Sequence, residues 1–562
     1  MTGLTKKILI FVVVMAAVAA FGWFGRKAWK HYTEKNLIAQ ARADFAKKDL
    51  HDADLCLRRV LQIDPMSVEG SRMIATLLDA EGSSVAAVGW RMRVAKLEPN
   101  NVTNLYVWVE TALRSQNLPS AAEALAGIPD KYKNTIEYYK LSGAVAWTSG
   151  RLAEAEKECT LALQMDPTNH ALMLNLATIQ LAVTNNPSVN RTGRNTLNEL
   201  ASDPSLGMLA LHHLQAEAVT RKSFNEALGY AKRINSNPAA TFTDKVEYLQ
   251  LMRTTQSVQA DPWLASLKQT AAYEPGNAYT LARWMVAAES PKTAYQWLST
   301  LPTTTQTNIV IVLLKTDCQI GMKDWSGLLA AVNTAPHPEW GQKEYYRLAL
   351  TSLAQRQLGD TDTAQRTWQS ALTSAAQNPE SLALLSQVTS IWGWIPERKQ
   401  TLEEAIAKHP EQKWAPEQLT GLLYSQGDTV ALAKLITQMQ RDNPEDPRLK
   451  NNLADVLLLQ RTDLDKAYQL SSEAYQSATN NPIYISTYAY ALLMKNKPDM
   501  ALKIIGNLKP EYLKIPSIAV YYGAIQVQTG HKDLAREPLT RASKAKLLPE
   551  EKAIVDSAMA QL

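Results

Sequence analysis

The residues best suited to chemistry are eight histidines and three cysteines, and their spacing argues against the usual uses. His212 and His213 form an adjacent pair, but neighbours on a helix point about 100° apart and cannot chelate one ion together. Cys56, Cys159 and Cys318 are odd in number and far apart, without the paired spacing of a zinc knuckle or the even count of a disulfide framework. They read as small buried apolar groups. The sequence has no glycine-rich phosphate loop, no His-Glu-x-x-His and no nucleophile elbow. The expectation is a non-enzyme with no catalytic, cofactor-binding or metal-ligating residues.

Recognition is the chemistry that remains. The chain has 14 Trp and 21 Tyr, with Trp392 and Trp394 flanking Gly393 and pairs at Tyr138-Tyr139, Tyr345-Tyr346 and Tyr521-Tyr522. Most of these read as packing residues, and a glycan-stacking surface is the weaker alternative. The net charge of +5 arises within the first hundred residues, which hold 15 Lys and Arg against 10 Asp and Glu. The rest is neutral and carries no basic stripe, so nucleic acid is not an expected partner.

The elements that must position these residues announce themselves by period. Asp64-Pro65 and Glu98-Pro99 stand 34 residues apart, Asp166-Pro167 lies twice that distance further on, and His409-Pro410 and Asn443-Pro444 repeat the 34-residue step. Apolar residues recur at three- and four-residue spacing, as in Leu172, Leu176, Ile179 and Val183, so the chain reads as all-α. Such a period marks stacked helical hairpins. Gly82, Gly150, Gly359, Gly393 and Gly427 are placed to end first helices, and the prolines cannot continue second ones.

The unit from Ile136 to Pro167 resembles the tetratricopeptide repeat, with Tyr139, Gly143, Ala155, Ala162 and Pro167 in register. Gly523, Gly530, Ala535 and Ala542 repeat the pattern from Pro516 onward. The resemblance implies a right-handed α-solenoid of about fifteen hairpins. It would span residues 35–547, degenerate between about 185 and 338, and be closed by a capping helix at 548–562. Glu550, Glu551, Lys552 and Asp556 are expected on the wet side of that helix. In this superfamily the first helices line a concave groove that holds protein partners. Its ligand-facing positions fall here on Glu69, Arg72, Tyr106, Glu110, Lys140, Trp147 and Asn175, a polar and aromatic wall suited to an extended or helical peptide. The carboxylate clamp of chaperone-binding members is matched only at Lys140 and Asn175, with Ala144, Met208 and His212 in the other places.

Beyond a short tail at 1–7, residues 8–24 are uninterruptedly apolar or small, and a basic segment with Arg26, Lys27 and Lys30 occupies 25–34. As a helix the run would be about 26 Å long, slightly under the roughly 30 Å hydrocarbon core of a bilayer. An N-terminal transmembrane anchor is the expectation, with a cleaved signal peptide ending near Ala17-Val18-Ala19 as the rival. Positive charge is almost balanced across the run, and its export-like start favours repeats outside the cytoplasm. Together these features suggest a bacterial inner-membrane, single-pass protein similar to membrane-anchored tetratricopeptide proteins, its repeats periplasmic and the cytoplasmic orientation the alternative. Its expected role is a scaffold for protein partners in envelope assembly, secretion or surface-polymer biogenesis. The alternatives are a periplasmic polysaccharide-associated protein with an aromatic glycan groove, and a cytoplasm-facing regulator of a membrane-bound enzyme or protease.

Overall fold

A computed structural model describes residues 29–183, 186–333 and 338–562. Among these residues all regular structure is helical, and the chain divides into two compact units, Met1–Ala271 and Ala272–Leu562. The first unit contains seven helical hairpins among the described residues. Their first helices are 29–46, Val68–Ala80, Val102–Arg114, Ile136–Thr148, His170–Ala182, Gly207–Thr220 and Phe242–Thr254. The second unit contains eight, with first helices Pro275–Ala288, Ile309–Met322, Glu344–Gln357, Pro379–Trp392, Trp414–Gln426, Pro447–Gln460, Pro482–Met494 and Pro516–Gln528, followed by the single helix Pro549–Met559. From residue 68 onward within each unit, first helices start 33 to 37 residues apart, so the described residues 186–333 are also built of hairpins.

Thirteen of the fifteen hairpins turn through a left-handed residue among the described residues. Gly82, Gly150, Gly359, Gly393, Gly427 and Gly530 have φ between 70° and 93°, a region open to glycine without steric cost. Lys48, Gln116, Lys222, Gln256, Lys323, Arg461 and Asn496 adopt the same conformation at the corresponding turns, accepting about 1 kcal/mol of strain each. Asparagines then start many helices, as where Asn169 Oδ1 accepts the Ala171 and Leu172 N–H groups at 3.1 Å.

The two helices of a hairpin meet through small residues. A methyl group added to Gly143 would lie 2.9 Å from Cys159 Sγ, and one added to Gly523 would lie 2.4 Å from Leu539 Cγ. Ala155, Ala162, Ala535 and Ala542 are fully buried at the same seams, whereas Pro167 is exposed in the turn between hairpins. Burial, reinforced by the Glu158 charge, pushes the Cys159 thiol up to about 11, which suits a packing role.

The localisation expected from the sequence is corrected here. Among the described residues no helix is long and apolar enough to cross a membrane. The helix 29–46 has the length but carries Lys30, Glu34, Lys35, Arg42 and Asp44, each costly in hydrocarbon. The expected anchor at 8–24 and the tail at 1–7 lie outside the described residues, while residues 29–34 of the basic segment belong to the first hairpin. A second correction concerns the last helix: Lys552 and Asp556 are exposed as expected, but Glu551 is buried, with 2% of its surface accessible.

The seam contacts generate a paired prediction. Gly523→Ala is expected to destabilise hairpin 516–542 by about 1–3 kcal/mol through overpacking. Gly229→Ala, on a helix where the new methyl meets nothing within 4 Å, should instead stabilise its hairpin by about 0.5–1 kcal/mol. Hydrogen exchange resolved by segment reads both, and equal effects at the two sites would contradict the seam.

Candidate functional site

Three consecutive first helices, Ile136–Thr148, His170–Ala182 and Gly207–Thr220, enclose an open pocket of about 320 Å³. Its apolar wall is Trp147, Leu174, Ile179 and Leu209; its polar groups are Lys140, Asn175, Thr178 and His213. Gly143 and Cys159 form the floor, so the close approach that joins the hairpin also gives the pocket its depth. Trp147 and Leu209 are 38% and 45% exposed, large apolar surfaces left open to water within one concavity. A pocket of this size accommodates one or two large apolar side chains.

The electrostatics are mild. Lys140 Nζ lies 3.1 Å from Glu137 Oε2 one turn earlier, an exposed pair that a ligand carboxylate could replace at little cost. His213 is held below the ordinary histidine value by burial and then by the neighbouring His212, so it presents a neutral ring at pH 7. His212 points elsewhere, with Nε2 3.5 Å from Asp244 Oδ1.

Of the seven residues expected to line the groove, the structure brings Lys140, Trp147 and Asn175 together in this pocket. Glu69 and Arg72 are engaged in an ion-pair ladder linking the first two hairpins. Glu69 receives Arg42 at 2.6 Å and Arg72 at 2.8 Å, and Arg72 also reaches Glu98 at 2.8 Å. Burial would raise the Glu69 carboxyl, but its two arginine hydrogen bonds outweigh this and hold it below the usual range. Tyr106 is half-buried against the core around Trp108, and Glu110 is exposed on the same helix. Leu209 and His213 were not singled out as groove residues. Their helix begins 37 residues after the preceding first helix, so a strict 34-residue register misses them.

No known family matches the chain, and no curated protein matches its sequence. Among solved structures, that from the functional characterization of Pseudomonas aeruginosa pilF is 14% identical, covers 40% of this chain and 99% of its own, and gives a TM-score of 0.31. Naa15/Naa10 bound to HypK-THB is 11% identical over 94% of this chain and 96% of its own, with a TM-score of 0.34. Yeast Tom70 is 14% identical over 82% and 95%, with a TM-score of 0.26. Identities and scores this low bear no weight for function. The hairpins share a period of 33 to 37 residues, mostly left-handed turns and small-residue seams.

The resemblance to the tetratricopeptide superfamily stands. Among the described residues the architecture is that of stacked helical repeats.

The half-buried, neutral His213 has a pH signature. Because its folded pKa lies below the unfolded value, the associated stability is complete above about pH 6.5 and declines as pH falls through that value. Urea denaturation of the intact chain should show a larger loss between about pH 7.5 and 5.5 than in His213→Gln. Identical losses would contradict the burial of a neutral ring.

Proposed function

We propose that the chain is a protein-binding scaffold and that the pocket around Trp147 holds an apolar side chain of a peptide segment. The observation that carries this reading is the convergence of four apolar walls and a cationic rim on three successive first helices. A stack of helices offers its partner a row of equivalent positions, so a peptide lying across them can place one anchor in the pocket and others on neighbouring helices. The desolvated anchor would supply most of the affinity, and Lys140 would fix the register of an acidic group beside it. Asn175 and Thr178 offer hydrogen bonds to peptide backbone at the same rim.

Panning displayed short peptides against the full chain tests this directly. Enriched clones should pair a large apolar residue with a nearby Asp or Glu. They should lose about tenfold or more in affinity against Trp147→Ala and Leu209→Asp, and weaken with added salt unless Lys140 is changed to Ala. Failure to enrich any clone, or clones indifferent to both pocket substitutions, would overturn the reading.

A further inference from the structure

The helix Pro549–Met559 does more than follow the hairpin before it. Its start reaches back to a turn far earlier in the chain: Thr429 Oγ1 donates to Glu550 Oε1 at 2.5 Å across 121 positions, and Pro549 sits against Gly427. A methyl group on Gly427 would lie 2.9 Å from Pro549 Cδ, so the left-handed turn favours glycine there and the docked helix leaves no room for a side chain. From that point the helix crosses the first helices Pro447–Gln460 and Pro516–Gln528. Ile554 and Ala558 face Tyr490, Leu493 and Ala524, and Gln561 meets Gln528 at 3.2 Å. Glu551, Val555 and Ala558, spaced four and three residues apart, form its buried face. Besides the second helix Lys532–Ala542 of the hairpin before it, the surface it covers is made of first helices, the same kind of surface that stays open around Trp147 in the other unit.

The fit has a flaw at its centre. Glu551 is buried beside Asp455, and among the described residues no cation pairs with either carboxylate. Asp455 has a donor in Tyr521, whose hydroxyl lies 2.5 Å from Oδ1 and whose ring stacks on Tyr490 at 4.2 Å. Glu551 accepts the Leu548 N–H at 2.8 Å, and Glu550 keeps one carboxylate oxygen buried without a partner. Two neighbouring carboxyls without a counter-charge make a seat that a better-matched helix could take.

We propose that the first helices between residues 414 and 528 form a second binding groove, built for an amphipathic partner helix with small apolar residues at four- and three-residue spacing. The chain's own helix Pro549–Met559 occupies this groove as an internal ligand. A partner helix with a neutral residue in place of Glu551 displaces it, which makes access to the second groove conditional while the Trp147 pocket stays open.

Acidity tunes the exchange. Burial, with the Asp455 and Glu550 charges adding to it, pushes Glu551 up to about 7, and burial pushes Asp455 up to about 6. A carboxyl whose pKa rises on docking favours the docked state at low pH, and that preference is lost as pH climbs from the free value to the docked one. The other titratable or charged groups around the helix are Tyr424, Tyr490 and Tyr521, with Arg461 and Lys532 towards its far end, where Lys532 Nζ donates to the Gln561 carbonyl.

The test uses the full chain and a labelled synthetic peptide of residues 547–562. Val555→Asp, which puts a charge on the buried face, should release the resident helix and raise uptake of the peptide at least about tenfold over the intact chain. Independently of that variant, a peptide carrying Glu551→Gln should displace the resident helix of the intact chain increasingly between about pH 5.5 and 7, and then level off. Only the resident helix holds the titrating Glu551, while Asp455 is common to both complexes. A folded Val555→Asp chain that takes up no peptide would overturn the proposal. So would equal uptake by both chains, or Gln-peptide uptake that does not change with pH.

Discussion

At the seam of hairpin 516–542, Leu539 Cγ sits 2.4 Å from where a methyl group of Gly523 would be, so a side chain there would force the helices or Leu539 to shift. That close approach governs the rest of the molecule. Two helices joined so closely present one rigid unit whose outer apolar face must be covered by the next hairpin, and repetition follows from the need to bury each face in turn. The same contact at Gly143 and Cys159 leaves a hollow between successive first helices, and the hollow is the floor of the Trp147 pocket. Packing and the proposed binding therefore draw on a single geometric device.

The two units use their first helices differently. In the first, Trp147 and Leu209 remain exposed around a concavity, while the neighbouring Arg42, Glu69, Arg72 and Glu98 tie hairpins together. In the second, the comparable surface across Asp455, Tyr490 and Tyr521 is covered by a helix from the same chain. Exposed apolar surface is tolerated where a partner can use it, and covering it internally protects it until one arrives.

Much of this was legible in the sequence. The 34-residue beat of acidic-proline pairs, with glycines at 82, 150, 359, 393 and 427, gave the helical class, the hairpin period and close to the right number of units. The middle looked degenerate because Lys222, Gln256 and Lys323 perform a glycine's turn at an energetic cost too small to leave a compositional trace. Lys140, Trp147 and Asn175 could be placed because their hairpins keep strict register. Leu209 and His213 could not, since their helix starts 37 residues after its predecessor. Glu551 looked like a solvated residue because its neighbours Asp455 and Thr429 are distant in sequence, and no local pattern encodes a fold-back contact.

The claim that ties these observations together is that first helices are the working surface in both units and that the last helix lies across one of them. The most direct measurement is cross-linking of Thr429→Cys with Glu550→Cys in a full chain whose three native cysteines are replaced by alanine. A zero- or short-length link formed within one chain, at a concentration too low for exchange between chains, is the predicted result. A folded chain that forms no such link, or forms it only between chains, would contradict the account.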